Sequence, residues 1–468
     1  MSKRTRTILF FSFVFLFLLT IPFLTVYTQG YRLDWDNHKL VKTGGMDFGV
    51  RPLGVRVFVD GEFHQETNFL FREVIIRNIL PRDYTIRIER EGYAHWQKTV
   101  AVAESIVTKF SAVRLFPQNP TRTGVGENII KVYPADDGRT ALALRKETGT
   151  LDQVRLLSFS GEQLETPVLT LRANERLEKV GWNAESTVAW FITVLGQEAA
   201  LYTVSTTDPA NPVAYSALTN SYRRGTLQTA LIIPTPSTTS VFVAPYDSKD
   251  QRYSVDSLII GQEKPISVVE DIRAGHAVGS SLLYLDKDNI LIERDMPSGQ
   301  LTILATTLHD KELALPITLT AENNARAVAV LAGNELFLWQ RGYQLTPVSD
   351  NASGGVFSPD ATKFAYWNGT TASVLWLETM FGPPARERGE TEIIATNSNI
   401  EKAFWLEPLG AHLVITSNHD VSIAELDGRG GRNIESYTIE NSQTFFAPLL
   451  QRVYALAEEG ILTTFSVE

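Results

Sequence analysis

Cysteine is absent from the 468 residues. Its absence excludes disulfides, thiolate nucleophiles and cysteine-based zinc sites together. Outside the cytoplasm such a chain relies on its core alone, and a body of this length can do so. Histidines at metal-binding spacing are missing too. His38, His64, His95, His276, His309, His412 and His419 form no His-Glu-x-x-His pattern. His412 and His419 read as one turn residue and one strand-end residue. Neither a Gly-x-Ser-x-Gly elbow nor a phosphate loop occurs. Asp286-Lys287-Asp288-Asn289 lacks the spacing and final glutamate of an EF-hand, so it reads as a turn. Asp136-Asp137-Gly138 reads the same way. No catalytic, cofactor-binding or metal-ligating residue is assigned, and no cofactor is expected.

Basic charge is also scarce. The formal net charge is −10, and Lys3, Arg4 and Arg6 contribute +3, which leaves −13 on the remainder. Bulk attraction to nucleic acid or anionic lipid is therefore not expected. Those three residues precede Ile8–Tyr27, an uncharged run dense in Phe and Leu. Twenty helical residues at about 1.5 Å each span roughly 30 Å, the thickness of a bilayer core. A cleaved signal peptide has an apolar core of about 7–15 residues and a small-x-small site. Here the run is longer, and Thr25-Val26-Tyr27-Thr28 lacks an Ala-x-Ala pattern. An uncleaved single-pass anchor is expected, with residues 1–7 cytoplasmic by the positive-inside rule and the bulk exported. Pro22 is tolerable in such a span. Tyr27, Tyr31 and Trp35 suit interfacial anchors, and 28–49 reads as a juxtamembrane linker.

From Pro52 to Trp96 the pattern turns to period two. Val55, Val57 and Val59 alternate with Arg56, Phe58 and Asp60, as in a strand with one buried face. Asp60-Gly61 supplies the left-handed residues of a tight hairpin. Tyr84, Ile86 and Ile88 alternate with Thr85, Arg87 and Glu89, and strand-like runs follow at Lys98–Ala103 and Ser105–Leu115. On Pro52-Leu53-Gly54-Val55, Val57–Gly61, Leu80–Ile86 and Gly92–Trp96, the segment 50–117 resembles a PEGA domain, a short β-sandwich module of surface and envelope proteins. Leu53 departs from that pattern by replacing an acid, and Phe69 stands where a Thr-Pro step often occurs. The resemblance covers about a seventh of the chain and carries no catalytic residues. It implies an envelope location and a stalk-like architecture.

Residues 118–468 consist of short apolar runs between turns, with no amphipathic helix longer than two turns, the pattern of an all-β array. The clearest unit is Val356–Trp367, where a strand meets Ser358-Pro359-Asp360 and re-enters as an alternating strand. Ser373–Leu377 and Glu392–Ala395 complete it. Weaker copies begin near Ile129, Val180, Thr226, Ile272, Leu315 and Ile400, at intervals of about 40–48 residues, the length of a propeller blade. Leu426-Asp427-Gly428-Arg429 with Arg432-Asn433-Ile434 resembles blades of the TolB and WD40-like type in pattern only. The last unit, Ser442–Glu468, has room for three strands, so a fourth from around Pro120–Val125 is expected to close the ring. The fold class expected is all-β: an N-terminal transmembrane helix over 8–27, a small PEGA-like β-sandwich and a seven- or eight-bladed β-propeller.

Trp182, Trp190, Trp339, Trp367, Trp376 and Trp405 fall in or beside expected strands, where packing between blades is the first expectation and a stacking face the second. Tyr93 and Trp96 have structural places at a strand end. Three function classes follow. The first is a non-catalytic membrane-anchored envelope protein whose propeller binds protein or glycan. The second is a structural subunit of an envelope complex or surface layer. The third is a glycan-acting enzyme with carboxylates converging on the propeller channel.

Overall fold

The computed structural model describes residues 3–468 except 36, 68–71, 148–150, 161–163, 184, 216–226, 228, 248, 251, 263, 310, 323, 383, 398, 418 and 440–442. Phe69, Thr226, the unit boundary at 441–442 and the side chains of Lys3 and Arg4 lie outside the described residues. The chain begins with one apolar helix, Lys3–Thr28, containing Pro22. Its span Thr5–Thr28 has a mean hydropathy of 2.5 and none of it is buried, so it is long and apolar enough to cross a membrane. A hairpin follows, Tyr31–Asp34 with Lys39–Lys42.

A seven-stranded β-sandwich comes next. One sheet pairs Glu62–Glu66, Arg56–Val59, Asp83–Glu89 and Trp96–Ala101 in that order. The other places Gly44–Arg51 between Glu73–Ile79 and Val107–Arg114, parallel to the latter. The segment read as linker thus holds a hairpin and, from Gly44, a full strand of the sandwich. Gly44, Gly45 and Gly49 break the alternation that would have marked it. Alternating residues meet inside the sandwich: Val57, Ile86 and Ile88 from one sheet, Met46, Phe48 and Phe110 from the other, with Trp96 against both Phe rings. Asp60 and Gly61 both have positive φ, 50° and 86°, which gives the twist a two-residue hairpin turn needs.

The rest of the chain is a ring of eight four-stranded blades, numbered 1 to 8 from residue 129. Blades 1, 2, 5, 6 and 7 are separate meanders over 129–170, 176–214, 317–349, 354–396 and 400–438. Blades 3 and 4 share the thirteen-residue strand Ile266–Val278. Its first half is the outermost strand of blade 3, and its second half is the innermost of blade 4. Blade 8 takes three strands from 443–466 and a fourth, Thr123–Gly126, from the other end of the array. That closure leaves no unpaired edge between the first and last blades. The apolar cores lie between blades, and among the described residues eight such wedges are present. The ring closes on the wedge where Ile129, Ala141 and Phe159 of blade 1 meet Phe445, Ala447 and Tyr454 of blade 8.

The repeated turn after the innermost strand has a common geometry. Its fourth residue is left-handed in five blades: Gly138, Ser186, Ala325, Ala361 and Gly410, with φ between 53° and 67°. In blades 2 and 6 the turn is closed by its first side chain. Asn183 Oδ1 accepts from the Thr187 and Val188 amides, and Ser358 Oγ accepts from the Lys363 amide. These short polar residues occupy positions that let the backbone turn without orphaned amides.

Gly138 sits at the ring closure, with φ +67° and a space for Cβ only 2.3 Å from Ala447 Cα. Gly196 has φ +58° and nothing within 4 Å of the same position. Gly138→Ala is expected to cost about 2–5 kcal/mol through left-handed strain and overpacking together. Gly196→Ala meets only the strain, about 1–2 kcal/mol. Denaturant unfolding of the two variants checks the difference, and equal losses would contradict the closure geometry.

Candidate functional site

The sandwich is not joined to the propeller by the chain alone. Its edge strand Trp96–Ala101 alternates buried and exposed, which turns Trp96, Lys98 and Val100 inward. Lys98 is 1% exposed. A buried ammonium is costly unless paired and hydrogen-bonded. Its partner is Glu425 at the end of a blade 7 strand, with Nζ 3.1 Å from Oε2, and Nζ also donates to the Asp427 carbonyl. Glu425 Oε2 accepts from Trp96 Nε1 at 3.3 Å and from Asn433 Nδ2 at 3.1 Å as well. Backbone contacts run alongside. The Thr99 amide donates to the Gly430 carbonyl at 3.2 Å, and the Gln97 amide to Asn433 Oδ1 at 3.3 Å. A Cβ on Gly430 would lie 2.0 Å from the Thr99 carbonyl oxygen, so this approach requires glycine.

Asp427 and Arg429 brace the same turn. Arg429 Nε and Nη2 donate to the Asp427 carboxylate at 3.0 and 2.6 Å, and Nη2 also donates to the Lys109 carbonyl at 2.7 Å. The guanidinium lies 4.2 Å over the Phe110 ring of the sandwich. Burial alone would raise the Asp427 pKa, but Arg429 and Lys98 outweigh it and hold it below the ordinary value. The sequence Leu426–Arg432, which reads as a blade signature, is therefore the propeller's half of an interdomain joint.

A second contact lies where the sandwich runs into the propeller. Phe116 is buried in the wedge between blades 7 and 8, edge-on to His412 at 5.6 Å. His412 Nδ1 is 2.7 Å from Glu407 Oε1. Arg114 places its Nη1 3.6 Å from Glu407 and its Nη2 3.7 Å from Glu468, and it donates to Gln451. Burial alone would raise the Glu407 pKa, yet His412 and Arg114 together hold it low. Between Trp96, Arg114, Phe116, His412 and Glu425 the joint leaves a cavity of only about 50 Å³. A second cavity of about 170 Å³ lies on the other side of Arg114, between Arg51, Pro52, Leu53 and Glu468.

The propeller's larger cavity, about 260 Å³, lies along the innermost strands of blades 2 to 5. Trp182, Trp190, Ile233, Tyr253, His276 and Thr318 line it, with glycine backbone at Gly181 and Gly275. Among the described residues no Lys, Arg, Asp or Glu forms its wall. Trp182 is fixed by its Nε1–H, which donates to the Tyr133 carbonyl of blade 1 at 3.1 Å. Burial lowers the His276 pKa, opposed only in part by Asp136. The shift favours the neutral imidazole.

Trp339, Trp367, Trp376 and Trp405 fill wedges between blades, whereas Trp182 and Trp190 reach the cavity wall. His412 opens a blade 7 strand and His419 sits in the turn that follows it. His276 is the histidine that sequence spacing gave no reason to single out. Asp286-Lys287-Asp288-Asn289 is a turn, with Asp286 Oδ1 accepting from the Asp288 and Ile290 amides. No cluster of three or more His, Asp or Glu suited to a metal is present among the described residues.

No protein-family model matches the chain, and no curated protein matches it in sequence. Among solved structures it is similar to the computationally designed Ika8 protein, with 10% identity, a TM-score of 0.45, and 74% of this chain and 98% of that one covered. It is also similar to an oligogalacturonate lyase from Vibrio parahaemolyticus, at 10% identity, TM-score 0.41, and 75% and 94% coverage. YCF48 from Cyanidioschyzon merolae gives 11% identity, TM-score 0.39, and 63% and 99% coverage. Resemblances this distant carry nothing about activity or partners. The propeller is defined by this chain's own sheet order and closure.

Lys98→Met strands the Glu425 carboxylate in the joint and is expected to cost about 3–5 kcal/mol, read from denaturant midpoints. Lys98→Met with Glu425→Gln should recover part of that loss; no recovery would mean the pair is not the coupled element. Acid should loosen the second contact. Because Glu407 has a folded pKa below its ordinary 4.5, its contribution is complete above that value and lost as pH falls through the folded one. Glu407→Gln should flatten the acid limb of a stability-versus-pH curve. An unchanged limb would contradict the assignment.

Proposed function

We propose that the chain is a membrane-anchored, non-catalytic protein of the cell envelope, in which a PEGA-like sandwich presents the propeller as a binding platform. The apolar helix acts as a single-pass anchor with its N-terminus cytoplasmic and the bulk outside. The observation that carries the proposal is the joint built on Lys98 and Glu425. A loose tether needs no buried ion pair, whereas a propeller held at one orientation to its sandwich is served by one. Its partner is an envelope protein or glycan, and nucleic acid is disfavoured by the acidic body.

A second reading is a structural subunit of an envelope assembly. Leu301 and Ile303 on the outermost strand of blade 4, with Ile266 on the neighbouring outer strand of blade 3, give the rim exposed apolar residues. Such residues suit lateral packing against a neighbour.

Membrane fractionation tests the anchor. The full chain is expected to stay with membranes through an alkaline wash, and protease added outside should digest the propeller. A mature N-terminus near Gln29, or a propeller protected on the cytoplasmic side, would contradict the proposal. Crosslinking in intact envelopes then separates the readings: a different protein or a glycan supports the platform, and copies of this chain alone support the assembly subunit.

A further inference from the structure

Blades 2 and 6 contain the same local device with different endings. In each, a tryptophan on the second strand folds its indole over the glycine paired with it on the innermost strand: Trp190 over Gly181, and Trp367 over Gly354. A Cβ on either glycine would lie 2.6 or 2.5 Å from the indole, so both positions require glycine. Trp367 is buried, and its Nε1–H donates to the Glu401 carbonyl of the next blade at 3.0 Å. Trp190 is half-buried against the wedge of blades 2 and 3, where it lines the channel cavity. Its Nε1–H has no acceptor among the described residues.

His276 lines the same cavity, and neither ring nitrogen is hydrogen-bonded among the described residues. As a neutral imidazole it offers one donor and one acceptor. Among the described residues the wall has no charged side chain, and the Asp136 carboxylate that acts on His276 lies outside it, so a phosphate or carboxylate would be desolvated there without compensation. The uncommitted groups are therefore those that serve an uncharged molecule bearing hydroxyls. The indoles of Trp182 and Trp190 offer apolar surface to the C–H face of a ring. A volume of about 260 Å³ lies just below the roughly 300 Å³ at which small-molecule sites begin. It holds one ring and not a chain buried whole.

We propose that the channel cavity binds a single neutral pyranose unit, stacked on the tryptophan walls and hydrogen-bonded by Trp190 Nε1–H and His276. The inference rests on the propeller being a binding platform and names the chemistry of one of its ligands. The unit has two possible sources, a free monosaccharide or the terminal residue of a neutral glycan, and both present the same ring.

The test is calorimetric titration of the full chain in detergent with glucose, galactose and mannose, with neutral oligosaccharides ending in those units, and with caffeine as a planar ring lacking hydroxyls. At least one sugar is expected to bind. Binding of monosaccharides identifies the free sugar as ligand, and binding of oligosaccharides alone identifies the glycan terminus. Trp190→Phe keeps the ring and removes the N–H, so it should weaken binding by about two- to tenfold. His276→Ala should weaken it similarly, with the unfolding midpoint recorded for both variants. Absence of sugar binding at millimolar concentration, binding of caffeine in preference to sugars, or affinity unchanged in both variants would overturn the inference. A sugar-negative chain that still crosslinks to an envelope protein would leave the platform standing and remove this site alone.

Discussion

The buried pair Lys98–Glu425 is the interaction on which the arrangement of the whole molecule depends. Each charge lies where water cannot solvate it, so each demands the other. Lys98 belongs to the sandwich and Glu425 to blade 7, and neither domain alone satisfies its own residue. Trp96, Asn433 and the Asp427 carbonyl complete the hydrogen bonding around them. Such a pair contributes modest net stability. Its effect is on specificity, because any other orientation of the sandwich leaves a charge stranded.

The propeller can accept this joint because its own structure is closed. Its wedges bury apolar side chains between neighbouring blades, and Thr123–Gly126 seals the last blade with a strand from the far end of the array. The closing strand follows the sandwich by a few residues, so closing the ring and docking the sandwich use the same stretch of chain. Phe116 in the wedge of blades 7 and 8, and the Tyr437 hydroxyl donating to the Pro117 carbonyl at 2.9 Å, fasten that stretch. Blades 7 and 8 carry the joint, while the larger cavity opens along blades 2 to 5, clear of it. Anchorage and recognition thus occupy different parts of one ring.

Much of the fold is legible in the sequence because it depends on local pattern. Val57, Ile86 and Ile88 follow period two, Asp60-Gly61 marks its hairpin, and Ser358-Pro359-Asp360 marks a blade turn. The strand Gly44–Arg51 escapes such reading, since its glycines erase the alternation. The joint is hidden for another reason. Lys98 and Glu425 stand 327 residues apart, and each alone looks like an ordinary charge on a strand. The cavity is intermediate. Trp182 and Trp190 are visible as aromatic residues near strands, but only the ring brings them beside His276. Nothing in their spacing separates them from Trp367 or Trp405, which fill wedges.

The central claim is that sandwich and propeller form one rigid body. The chain has no native cysteine, so two introduced cysteines can be spin-labelled without background. Phe63 on the sandwich and Leu409 on the propeller are both exposed and suit the purpose. Electron–electron double resonance on the full chain with labels at those positions measures the distance distribution between the domains. A single narrow distance is expected. A broad distribution, as from a flexible stalk, would contradict the account.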